Sequence, residues 1–176
     1  MRQVMLIAVV ALAACALPAR AQETRHPTES CAAMDAALPA RFGDWNGKAA
    51  IGTAPSPEHA VHAPLMLGKG YEAQLAKKGE VTFSVEPEKP GGSASYSGLF
   101  SFTVETAGNF TVALGSAAWI DVLEDGRALE PSKIDHGPEC TTIRKMLVFE
   151  LKPGVHVLQV AGNGADTLSV MVAKAS

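Results

Sequence analysis

The chain has 176 residues, of which 47% are hydrophobic and 19% charged, with 15 Lys and Arg against 18 Asp and Glu for a formal charge of −3. That balance argues against a nucleic-acid partner, because a phosphate-tracking surface needs clustered cations and the adjacent basic pairs are Lys77-Lys78 and Arg144-Lys145. The length left after the N-terminal signal described next, about 155 residues, suits one domain with a single core.

Met1-Arg2-Gln3, the apolar run from Val4 to Leu17 and the small residues of Ala19-Arg20-Ala21 follow the basic, apolar and small-residue order of an export signal cleaved after Ala21. The apolar run is about 14 residues, short of the roughly 20 that a spanning helix requires. Residues 1–21 therefore read as a signal peptide, and the mature protein as periplasmic or secreted. Its 13 basic and 18 acidic residues give a formal charge of −5. Leu12-Ala13-Ala14-Cys15 offers an alternative, the pattern at which bacterial lipoproteins are cleaved and lipidated. Use of Cys15 would make the protein a membrane-anchored lipoprotein with the same fold, and membrane contact is expected only in that case.

Either cleavage leaves Cys31 and Cys140 as the ordinary thiols, and an oxidising compartment predicts that they pair as a disulfide. There is no Cys-x-x-Cys motif to support a thioredoxin-type role. Residues 22–62 read as an N-terminal extension, interrupted by Pro27, Pro39, Pro55 and Pro57. One short helix is expected through Cys31–Leu38, capped by Thr28 or Ser30 and ending before Pro39. Phe42 and Trp45 are expected to pin this segment onto the domain by burying aromatic surface.

Residues 63–176 carry the domain proper. From Tyr71 the apolar period becomes two, and strands are expected at 71–76, 80–85, 98–105, 109–115, 118–123, 145–151, 155–161 and 167–172. Pro90-Gly91-Gly92, Asp125-Gly126, Pro153-Gly154 and Asn163-Gly164 mark chain reversals between them. The pattern predicts an all-β fold, a single antiparallel β-sandwich of jelly-roll or immunoglobulin-like type, with a closed barrel as the alternative.

Candidate chemistry is sparse. His59 and His62 follow Glu58 but are bracketed by Pro57 and Pro64, so they read as solvent-exposed loop histidines and no metal is assigned. His26 lies in the leader of the extension, and His156 is expected to face solvent from a strand. In Asp135-His136-Gly137-Pro138-Glu139-Cys140 a polar loop gathers an imidazole, two carboxylates and the expected disulfide; His136 either bonds its own loop or serves a ligand. Trp119 and Asp121 share one face of a strand end, the composition of a sugar-stacking platform, although Trp119 also fits a core position. No nucleophile elbow, P-loop, dinucleotide fingerprint, calcium loop or zinc-finger spacing occurs, and no cofactor is expected.

The run from Gly98-Leu99-Phe100-Ser101-Phe102 through Ala118-Trp119-Ile120-Asp121-Val122, with His136-Gly137-Pro138-Glu139-Cys140 and Ile143-Arg144-Lys145, resembles a group of short exported alphaproteobacterial proteins over about residues 60–173. Some of that group carry the label homogentisate dioxygenase. That label implies iron held by two histidines and a glutamate on a much longer cupin, and this sequence has no recognisable arrangement of that kind. The chain is also similar to small β-sandwich domains attached to exported enzymes. That likeness implies a non-catalytic binding or accessory module whose contact surface is Trp119, Asp121 and His136, with a carbohydrate or an envelope protein as partner. The alternatives are a small metal-dependent enzyme centred on His136 with Asp135, Glu139 or Asp121, and a structural or assembly protein.

Overall fold

Alternating apolar residues settle into two facing sheets in the structure, a computed structural model that describes residue 31 and residues 33–175. In chain order the strands are β1 (Ala49–Gly52), β2 (Gly70–Gln74), β3 (Ala76–Lys77), β4 (Tyr96–Val104), β5 (Gly108–Leu114), β6 (Trp119–Glu124), β7 (Arg127–Ala128), β8 (Lys133–Asp135), β9 (Lys145–Leu151), β10 (Gly154–Asn163) and β11 (Thr167–Lys174). One sheet runs β1-β2-β11-β5-β9-β8 and the other β3-β4-β10-β6-β7. Every pairing is antiparallel except β1 with β2, which is parallel.

The pairs β2·β11, β4·β10, β5·β9 and β6·β7 nest one inside another in sequence and alternate between the sheets. A long hairpin rolled up on itself gives this order, which is the jelly-roll form of the sandwich rather than the immunoglobulin-like one. At its tip Asp125 and Gly126 both take positive φ, 51° and 75°, as a two-residue turn between twisted strands requires. The inner faces carry Phe110, Val112, Leu114, Phe149, Val170 and Val172 on one side and Phe100, Phe102, Ile120, Val122, Leu158 and Val160 on the other. Removing each such side chain from water stabilises the fold by about 1.5–3 kcal/mol.

Residues 49–65 join the two sheets at one edge. After β1, Ala54 donates its N–H to the Leu99 carbonyl and Leu65 donates to the Ser101 carbonyl, so this stretch borders β4. Between those contacts lies a 3-10 helix, Pro57–His62. The histidines His59 and His62, expected in a loop, therefore sit on a helical turn.

The outer face of the β1-containing sheet is covered by the N-terminal segment. Phe42 and Trp45 are fully buried there with Ala113, Ile143, Met171 and Ala173, as their aromatic character predicts. Cys31 and Cys140 form a disulfide with Cα atoms 5.3 Å apart. The short helical turn of this region falls at Ala40–Phe42, as a 3-10 helix, and not over Cys31–Leu38. Asp35 takes φ of 59°, which breaks a right-handed helix. In compensation its carboxylate accepts the Thr142 N–H at 2.7 Å and the Thr142 hydroxyl at 2.6 Å.

The expected strand at 80–85 joins neither sheet: the chain bends at residues 80, 81, 84 and 85, and the Thr82 N–H donates to the Pro55 carbonyl. Its burial alternates, with Val81 buried and Phe83 and Val85 half-buried. At Ser84 and Val85 the partner is a side chain: the Gln159 amide accepts from both N–H groups and donates to the Val85 carbonyl. Among the described residues no helix is long and apolar enough to cross a membrane.

Candidate functional site

β6 places Trp119 and Asp121 on one face, as their spacing predicts, and the indole Nε1–H donates to Asp121 Oδ1 at 3.0 Å. Both side chains are half-buried. The Nζ atoms of Lys89 and Lys145 lie 5.3 and 5.8 Å from the indole ring centre, and Lys145 Nζ also donates to the Ala118 carbonyl. Burial pushes the Asp121 carboxyl above its ordinary pKa, against the pull of its Trp119 and Gln159 hydrogen bonds, while Glu130 and Glu88 raise it further. Its Oδ2 is buried without a hydrogen-bond partner. Burial, aided by Lys89, pushes the Lys145 ammonium down. The cluster is thus a self-bonded polar pair beneath two cations, with the indole N–H already used.

His136 lies elsewhere, on the exposed loop after β8. Its N–H donates to Asp135 Oδ1, and Asp135 pairs with Lys133 at 2.8 Å. The Lys133 hydrogen bond, then that from His136, holds the Asp135 carboxyl below its ordinary range. Gly137 is required at this bend: a Cβ there would fall 1.8 Å from the Ile143 carbonyl oxygen. Among the described residues, no hydrogen bond, ion pair or ring contact joins His136 to Trp119 or Asp121.

His156 does not face solvent. It is 1% exposed, stacks on Phe102 with ring centres 5.4 Å apart, and donates Nε2–H to the Lys152 carbonyl, leaving Nδ1 unpartnered. It pairs with Phe102 across the β4·β10 ladder and therefore points inward with it. Among the described residues no three His, Cys, Asp or Glu side chains cluster as metal ligands, so the iron set implied by the dioxygenase label finds no counterpart there. His26 and Cys15 lie outside the described residues.

No family model and no curated protein matches the chain.

A hollow lies away from Trp119, Asp121 and His136. A groove of about 530 Å³ opens at one end of the sandwich, between Leu65, Met66 and Leu67 on one side and Phe102 and Phe110, from the inner faces of opposite sheets, on the other. Pro64, Thr103, Glu105, Thr106 and Lys174 complete it. Met66 is 65% exposed and Leu67 38%, while the Met66 N–H donates to the Tyr71 hydroxyl and fixes the wall. The floor is firm because Phe102 is backed by the buried His156 ring. Its volume and apolar lining suit a small ligand. In sequence it appears only as the aperiodic apolar run Leu65-Met66-Leu67, whose partners lie tens of residues away.

Proposed function

We propose that this is an exported, non-catalytic binding module of the cell envelope, and that it holds a single-chain amphiphile in the groove at the end of the sandwich. The groove carries the reading: apolar residues from two sheets and a loop converge on a hollow of about 530 Å³. Lys174, Thr103 and Thr106 on its lining supply partners for a polar end, and Leu65, Met66, Phe102 and Phe110 receive the chain. Export is supported by the N-terminal signal pattern and by the Cys31–Cys140 disulfide, which belongs to an oxidising compartment. Cleavage after Ala21 leaves a periplasmic or secreted protein, and lipidation of Cys15 would hold the same groove at a membrane.

Titration of the mature protein with decanoate in a calorimeter tests the binding step. Saturable one-to-one binding is expected, weakened at least tenfold in Met66→Glu, whose exposed position spares the core. Equal affinity of the two proteins, or no saturable heat, would rule the groove out. Intact mass of protein from the envelope fraction tests export: a mass beginning at Gln22 or an acylated Cys15 is expected, and an uncleaved cytoplasmic chain would contradict it.

A further inference from the structure

We propose that His59 and His62 form a two-imidazole site for a divalent transition-metal ion of the zinc or copper class, on the edge of the sandwich and separate from the groove. A 3-10 helix has three residues per turn, so side chains at i and i+3 eclipse one another. On Pro57–His62 this brings the two rings to one side, with centres 6.4 Å apart and both exposed to solvent. They border the same hollow of about 320 Å³, together with Ile51, Gly52 and Thr53.

The second observation is a relay that prepares His59 as a ligand. Ser56 Oγ lies 2.6 Å from Glu58 Oε2 and 2.9 Å from His59 Nδ1. An ionised carboxylate only accepts, so the hydroxyl proton points to Glu58 and the Oγ lone pair accepts from His59 Nδ1–H. That assigns the free lone pair to Nε2, one of the two ring nitrogens through which a neutral imidazole binds a metal. A carboxylate-linked acceptor behind a ligating histidine is a usual outer support of an imidazole site, and its loss typically lowers affinity about 10–100-fold. Two imidazoles bind zinc at about 2.0–2.1 Å from nitrogen, and water takes the remaining positions on an exposed turn. Ligation requires the two rings, with centres 6.4 Å apart, to turn until both Nε2 atoms meet one ion.

Zinc chloride titrated into the untagged mature protein, followed by imidazole nitrogen and proton NMR, tests this. Saturable one-to-one shifts confined to the His59 and His62 rings are expected, with affinity falling at least tenfold in His59→Ala and in His62→Ala. Ser56→Ala is expected to lose affinity about tenfold and to alter the Nδ1/Nε2 signature of His59 in the zinc-free protein, which a merely structural serine would not do. Shifts centred on His26, His136 or His156, unchanged affinity in both histidine variants, or no saturation would overturn the proposal.

Discussion

At the scale of single residues, two polar groups on the β10·β6 ladder, one fully and one half-buried, give distinct tests. Gln159 is fully buried and acts as a surrogate strand for residues 84–85. Gln159→Leu keeps the volume but strands those backbone groups, so a loss of about 1–3 kcal/mol in urea unfolding is expected; an unchanged midpoint would contradict the surrogate role. Asp121, its cross-strand neighbour, has its carboxyl pKa raised by burial. The folded state therefore holds the proton longer than the unfolded chain, whose carboxyl titrates near the ordinary value of about 3.9. Stability from this residue is full below that value and falls as pH rises through the folded pKa. Asp121→Asn should remove that part of the slope, leaving the variant relatively more stable at neutral pH than at pH 3. Urea midpoints across that range check the sign. The Trp119–Asp121 pairing was legible from two-residue spacing on a strand. The inward turn of His156 follows from the same period, which puts it on the face of Leu158 and Val160, against the preference of a lone imidazole for solvent.

At the scale of elements, the N-terminal segment is a clasp, held by the Cys31–Cys140 disulfide, the Asp35–Thr142 hydrogen bonds and the buried Phe42 and Trp45. The disulfide spans 109 residues, so replacing both cysteines with serine should cost about 3–5 kcal/mol. Trp45→Ala, which also removes the indole N–H that donates to Thr142 Oγ1, should cost about 3–5 kcal/mol, measurable by thermal unfolding. Small losses in both would mean that the clasp is dispensable. Strands β4, β5, β6, β9, β10 and β11 were readable because each has six or more residues and buries one apolar face against solvent or a cover on the other. The strands missed by sequence, β1, β3, β7 and β8, have four, two, two and three residues, and the strand expected over 71–76 ends as β2 before β3 begins in the other sheet. Such short edge pieces show no period, and their pairing is set by their neighbours. The segment 80–85 failed the opposite way: its alternation is real, but a turn, one backbone bond to Pro55 and the Gln159 side chain take the place of a neighbouring strand.

At the scale of the whole molecule, rolling a nested hairpin into a jelly roll leaves an open end between the sheets, and there the groove collects residues that sequence keeps apart. Its walls come from Leu65–Leu67, from β4 and β5, and from Lys174 on β11, so no local spacing signals it. Sequence pointed instead to Trp119, Asp121 and His136, because those residues are chemically conspicuous; the fold joins the first two to each other and leaves His136 bonded within its own loop. The most direct test of binding in the groove is a methyl NMR titration of mature protein carrying labelled methionine methyl groups, with decanoate as ligand. Met66 should shift saturably, while Met34, also open to solvent at 53% exposure but outside the groove, and the buried Met171 should stay in place. Parallel shifts of Met34 and Met66, or no shift of Met66, would contradict a ligand site between the sheets.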